Sequence, residues 1–451
     1  FDEAKICGRI NAMFNGAETL RRRDGSMEEA FPYESSFCVT ALVAFDLLST
    51  IELLADRLEK ETRDRYLAII APMIHHIQTT EERHAFISNH LAVASAALFK
   101  WNSLTGEMKS AERGRKILDQ ILDHQSDEGW FLEYEGADPG YQTLCTQFLV
   151  DLHRMRPNLG LAKPLEKSLQ FLSYFAHPDG SFGGIYGSRN TRFYYPSGIE
   201  TLSGEIPVAA ALSSYMRKSI ENRYVVGLAA VDDSNLIPMF NSYCWAAAAV
   251  KEYEQLPVLP CQSQISLRKH WPEAGLIIDR EKDHYTLIST HKGGVVYHYL
   301  NGKMETLDSG QVIRASNGVI HSTQGYSSDN KVVVEGDKVQ ITSNFTLATR
   351  RSPKPWQFLI LRCLSMTVMR VQFLRDWIKR WLVGYLITGN GNSRGINIRT
   401  ITLGEELCIA DEMSQKLAGE KLNKQSDFVA IHMASQGYWQ VQDELGEGSG
   451  R

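Results

Sequence analysis

Trp130-Phe131-Leu132-Glu133-Tyr134-Glu135-Gly136-Ala137-Asp138-Pro139-Gly140-Tyr141 is a loop dense in acids, aromatics and glycines, and it runs straight into the helical pattern TLCTQFLVDLHRM. Loops held at helix starts on a rigid scaffold are where functional side chains collect. The surroundings of this loop set the fold. From Ser36 to about Glu254 apolar residues recur at helical spacing, as in FCVTALVAFDLLSTIELLADRL, HLAVASAALFKW and PLEKSLQFLSYF. Between the helices stand related fragments: Asp24-Gly25-Ser26, Asp127-Glu128-Gly129-Trp130-Phe131 and Asp179-Gly180-Ser181-Phe182-Gly183-Gly184. Their starts lie 103 and 52 residues apart, close to one interval doubled. A spacing near fifty suits a repeated helix pair, and stacked pairs predict an α/α toroid.

After Leu256-Pro257-Val258-Leu259-Pro260 the texture changes to short alternating runs such as GLIIDR, HYTLIST, GVVYHYL, KVVVEGDKVQITSNFTL and INIRTITL, broken by Gly, Asn and Asp. The chain therefore reads as multidomain, α then β: an α/α toroid over 1–257 and an antiparallel β-sandwich over 258–451. An amphipathic helix near 356–387 interrupts the sandwich. Arg362, Arg370, Arg375, Asp376, Lys379 and Arg380 divide that segment too often for a spanning helix. The expectation is a helix packed on its own protein, with peripheral membrane contact as the alternative.

Composition excludes several classes of function. With 43% hydrophobic and 22% charged residues in 451, the chain buries full cores, and a net charge of −5 steers it towards neither nucleic acid nor anionic lipid as a whole. Seven scattered cysteines without CxxC spacing predict buried thiols rather than a zinc site or a disulfide framework, so no cofactor is expected. Neither Phe1 nor the closing GEGSGR names a compartment; periplasm, cell envelope and cytoplasm stay open, as does the oligomeric state.

Three clusters carry candidate chemistry, each ahead of a helix: Ser88-Asn89-His90, the Trp130 to Tyr141 loop, and Gly187-Ser188-Arg189-Asn190-Thr191-Arg192-Phe193-Tyr194-Tyr195-Pro196. Ser88 or Asn89 is expected to cap its helix. Abstracting a proton beside a carboxylate requires an amide or a cation to neutralise that carboxylate, and a base to take the proton. Asn89, His90, Tyr141 and Arg192 are residues of those types. Each also has a plainer reading, as a cap, a core-edge imidazole, a packing tyrosine or a solvated arginine.

In order along the chain, Asn89-His90, then Tyr134-Glu135-Gly136 followed by Tyr141, and then His270-Trp271-Pro272-Glu273-Ala274-Gly275-Leu276-Ile277-Ile278-Asp279-Arg280 resemble the heparinase II/III-like and alginate-lyase group of polysaccharide lyases. The resemblance implies that Asn89 neutralises a uronate carboxylate, that His90 assists, and that Tyr141 serves as base, acid or both. His298 is then a second base candidate. Arg189, Arg192, Trp130, Tyr134, Glu135 and Tyr194 are the expected sugar contacts, and an anionic polysaccharide is the expected partner. Where the group has a His-x-His-x-Asp run, this chain has Val295-Val296-Tyr297-His298-Tyr299, so no metal is expected; His291, His298, Asp308 and His321 are the residues that would have to meet to hold one. Uronyl C5-epimerisation is the neighbouring activity, since it begins with the same proton abstraction. A glycan-binding protein without turnover, and a hydrolase using carboxylates among Asp127, Glu133, Glu135 and Asp138, are the competing readings.

Overall fold

The computed structural model describes residues 2–29, 33–83, 85–231, 233–315, 319–348, 355–371, 373–374, 377–378, 394–404, 406–414 and 421–423. Within them the helices come first: α1 (Glu3–Leu20), ahead of the stretch whose periodicity predicts helix, and then within it α2 (Phe37–Leu53), α3 (Lys60–Thr79), α4 (Ser88–Thr105), α5 (Met108–Asp123), α6 (Pro139–Met155), α7 (Ala162–Leu172), α8 (Ser197–Leu202), α9 (Pro207–Glu221) and α10 (Asp233–Ala249). Strands β1 (Leu267–Trp271), β2 (Leu276–Arg280), β3 (His284–Ser289), β4 (Val295–Leu300), β5 (Lys303–Asp308), β6 (Val312–Arg314), β7 (Ile320–Ser322), β8 (Lys331–Glu335), β9 (Lys338–Asn344) and β10 (Thr346–Leu347) follow. Then come α11 (Pro355–Met366), β11 (Ile396–Thr402), β12 (Cys408–Met413) and β13 (Lys421–Asn423).

The chain divides into two compact units, residues 1–124, 151–159 and 353–385 in the first, and 125–150, 160–352 and 386–451 in the second. In the first, α4 is buried on almost every face from Leu91 to Trp101, and its alanines let α2 and α5 approach closely. The buried Lys100 ammonium is paired there with Glu52 at 2.6 Å and Asp151 at 2.9 Å. α11 behaves otherwise. The helix expected near 356–387 is described over Pro355–Met366, with 379–387 outside the described residues; there Ser365 is the buried residue, and Trp356, Phe358, Leu359, Ile360 and Met366 face solvent.

The second unit holds α7 to α10, most of α6 and all the strands. Its sheets are antiparallel: a five-stranded meander β1-β2-β3-β4-β5, a four-stranded sheet β12-β11-β9-β8 and another ordered β10-β7-β6-β13. Alternation along the meander decides what each face meets. Ile277, Ile288 and Val296 share one face and form a core with Val339 and Ile341 of β9 and Ile401 of β11, which makes the sandwich. The opposite face carries Trp271, Tyr285, Tyr297 and Tyr299 towards the helical part of the unit. Trp271 lies edge-on to Phe171 of α7 at 5.6 Å, and the Tyr285 hydroxyl donates to the Tyr174 carbonyl at 2.5 Å. Both faces are covered, so β2 and β3 are buried at every position.

The Asp-Gly fragments fold alike. Backbone N–H groups of Arg22, Ser126 and His177 each donate to the carbonyl four residues on, and Gly25, Gly129 and Gly180 each donate back to Arg22, Ser126 and His177. All three glycines have positive φ, which L side chains adopt only at a cost.

Candidate active site

Asp138 is where the second unit's site is assembled. The Asp-Pro step starts α6, and the Asp138 carboxylate caps it by accepting the Tyr141 N–H at 3.1 Å. The same carboxylate accepts the backbone N–H of Arg189 at 2.9 Å and bonds both the N–H and the hydroxyl of Thr191. One buried acid thus ties the Trp130 to Tyr141 loop to the Arg189 to Arg192 loop. Gly187 permits it, because a Cβ there would stand 2.6 Å from the Asp138 carboxylate. Burial raises the Asp138 pKa, and its donors from Thr191, Tyr141 and Arg189 only partly offset this.

Three expected site residues meet around that clamp. The Arg189 guanidinium lies over the Tyr134 ring, 3.7 Å from its centroid. Tyr141 stands edge-on to Phe193 at 5.0 Å. Burial is the largest influence on the Tyr141 hydroxyl and pushes its pKa up, while Arg189 pulls it down. Tyr134 has φ 62°, a strained conformation of the kind that gathers at functional sites.

From the sheet side, the β3–β4 turn contributes Lys292, whose ammonium donates to the Asn190 side-chain carbonyl at 2.6 Å. Lys292 is buried, and burial lowers it to about 8 against the opposing pull of Glu135 and Asp138. The neighbouring His291 ring lies 3.0 Å from the Tyr326 hydroxyl, which itself sits against Gly136. Arg192 reaches the Tyr297 hydroxyl at 3.4 Å, and Tyr297 accepts the Ile185 N–H at 3.1 Å. Beneath them His177 is fully buried, 2.8 Å from both Ser181 and Tyr186, and burial drops its pKa to about 4.

The remaining expected residues are distributed differently. Glu135 is exposed, and the indole N–H of Trp130 donates to Glu128 at 3.0 Å. Tyr194 is a core residue, its ring 5.0 Å from Phe182. His298 lies on the sandwich face of β4, 2.8 Å from Thr286, one residue out of phase with Tyr297. The strand therefore presents Tyr297 and Tyr299, not His298, to the helical side. Asp308 pairs with Arg399 at 2.7 Å and His291 with Tyr326; among the described residues no group of three or more His, Cys, Asp or Glu is arranged to hold a metal.

Asn89 and His90 belong to the first unit. Neither Ser88 nor Asn89 caps α4; the N-cap is Ile87, without a side-chain bond, and Asn89 is buried inside the first turn. His90 Nδ1 lies 2.8 Å from Glu82, and the Cys38 thiol hydrogen-bonds the same ring. Burial opposes the imidazolium, but Cys38 and Glu82 outweigh it and hold the pKa well above its ordinary value.

Lys292, Tyr297, Tyr326 and His177 escaped the sequence reading, because scattered residues on different strands leave no motif. Asp138, read from the sequence only as a candidate carboxylate, carries a cap signal as well, since Asp-Pro stands ahead of an apolar helical pattern.

No protein-family model matches the chain, and a search of curated proteins finds no match. Solved structures do match. A heparinase III aligns with a TM-score of 0.52 at 12% identity, over 91% of this chain and 60% of its own. A second heparinase III, with methylated lysines, gives 0.43 at 13%, over 84% and 53%. A Paenibacillus xanthan lyase gives 0.38 at 10%, over 76% and 44%. The chain spans about three fifths of the length of the first. At such identity the likeness is one of fold: helices followed by antiparallel sheets, as in the helical toroid and β-sandwich lyases, which is the fold the sequence motifs resemble.

Proposed function

We propose that this protein is a polysaccharide lyase that cleaves a uronic-acid-containing chain by β-elimination, with Tyr141 moving the protons and Arg189 and Arg192 holding the anionic sugar. The observation that carries the reading is the Asp138 clamp, which holds Tyr141 in the first turn of α6 and Arg189 on its loop in one fixed arrangement. A phenol is a useful base only when positive charge stabilises the phenolate, and Arg189 is the group that lowers the Tyr141 pKa.

In the elimination the Tyr141 phenolate takes the C5 proton. The C5–H electron pair becomes the C4–C5 double bond, the C4–O bond breaks, and the phenol returns its proton to the leaving oxygen. Arg189, near the phenol, offsets the charge that builds on the substrate carboxylate. Burial opposes the phenolate that starts the cycle, so the resting phenol first gives its proton to solvent with Arg189 stabilising the anion; the same burial favours return of the abstracted proton to the leaving oxygen. The part that the resemblance gives to Asn89 and His90 is a separate question for the first unit, answered by assaying Asn89→Ala and His90→Ala.

The test is a panel of uronate polysaccharides followed at the absorbance of the 4,5-unsaturated uronate. Activity is expected on at least one, with Tyr141→Phe reducing it by at least about a hundredfold. Absence of unsaturated ends, together with no exchange of the C5 hydrogen in deuterated solvent, would overturn the proposal; exchange without cleavage would replace it with epimerisation.

A further inference from the structure

α11 and the segment after it carry a run of large apolar side chains that no described residue covers. Trp356 is 54% exposed, Phe358 55%, Leu359 67%, Phe373 71% and Trp377 57%, where ordinary surfaces carry such side chains singly. The segment is not loose on the fold. Met369 is fully buried, and the Arg370 guanidinium lies 5.7 Å from the Tyr33 ring centroid, within the same unit.

Charge identifies what would cover it. Between Arg350 and Arg380 the sequence holds eight lysines and arginines against the single acid Asp376, in a chain whose net charge is −5. We propose that the 355–378 segment is a docking surface for an anionic lipid bilayer, with its aromatic and aliphatic side chains entering the headgroup boundary and its arginines, Arg362 and Arg370 among them, meeting the lipid charge.

Three features choose this occupant. Tryptophan and phenylalanine beside lysine and arginine is the composition of helices that lie in a membrane interface. A second copy would bring two segments of the same sign together, which repel. A polysaccharide would use the aromatic rings and the cations but has no place for Leu359 and Ile360. Interfacial seating needs no spanning helix, and among the described residues no helix is long and apolar enough to cross a membrane.

The whole protein is tested by flotation with vesicles of phosphatidylcholine alone and of phosphatidylcholine with about a third phosphatidylglycerol. It is expected to float with the anionic vesicles and to be released in part by salt. Replacing Trp356, Phe358, Leu359 and Phe373 by Ser, all at exposed positions, should cut that binding by at least about tenfold with an unchanged melting temperature. The charge reversals Arg362→Glu and Arg370→Glu, at exposed positions of the segment, should each weaken it as well. Protein that stays unbound to both vesicle types overturns the proposal. So does equal binding to neutral vesicles that ignores the charge reversals, or a dimer in light scattering that the serine substitutions dissolve, which would make the face a contact between copies.

Discussion

Arg189 donates its backbone N–H to the carboxylate of Asp138 at 2.9 Å, so the loop carrying the guanidinium and the helix carrying Tyr141 hang from one buried acid. Asp138→Ala leaves the Tyr141, Arg189 and Thr191 donors without their acceptor. The expected loss of stability is on the order of 3 kcal/mol, read by urea unfolding, because each stranded buried donor pays its own desolvation. Asp138→Asn should cost less while still displacing Arg189 from Tyr134. An alanine variant as stable as the parent would show that the two loops are held by something else.

Gly136 is pressed against the Tyr326 hydroxyl, which the His291 ring holds from 3.0 Å. A methyl group at Gly136 collides with that oxygen, so Gly136→Ala is expected to destabilise by about 1–3 kcal/mol through overpacking. Adding Tyr326→Phe removes the oxygen and should recover most of the loss. The pair is therefore non-additive, and a double-mutant cycle of melting temperatures measures it; simple additivity would place the strain elsewhere.

Lys292 titrates at about 8 in the folded protein against an ordinary value of 10.5. Between those values the unfolded chain binds more protons, so this lysine makes stability rise with pH across that window. The rise should amount to something on the order of 3 kcal/mol. Lys292→Met is expected to remove it, seen as a difference between the two proteins' stability curves from pH 8 upward. Parallel curves would mean that the ammonium is solvated.

His90 is held above its ordinary value of 6.5 by Cys38 and Glu82. Its contribution is complete below that value and fades as pH rises through the higher folded one. In Glu82→Gln the imidazole pKa should fall, and nitrogen NMR of the ring reads the shift directly. Cys38→Ser removes the thiol's support and should lower the pKa as well. An unchanged pKa in the glutamine variant would remove Glu82 from the account.

Local rules reach a definite distance into this protein. The helical period from Ser36 onward, the strand alternation after Pro260 and the repeated Asp-Gly turns were each legible, because period, turn chemistry and capping act over a few residues. The turns fold with one hydrogen-bond pattern at Arg22, Ser126 and His177, as their shared sequence implied. α4 departs from local expectation at its start. Ser88 and Asn89 have good capping side chains, but the helix begins one residue early and buries both of them instead.

The sequence by itself determined that helices precede antiparallel strands, that Tyr134 and the arginines lie on loops ahead of helices, and that Tyr141 stands at a helix start. Only the tertiary structure decided which strand residue faces those loops. A strand reverses its side chains at every step, and the face of β4 is chosen by burial: Val296 turns to the sandwich core and His298 shares its face, so Tyr297 turns to Arg192. The structure likewise brought Lys292 to Asn190 across 102 residues, a contact that long-range packing creates and no spacing announces.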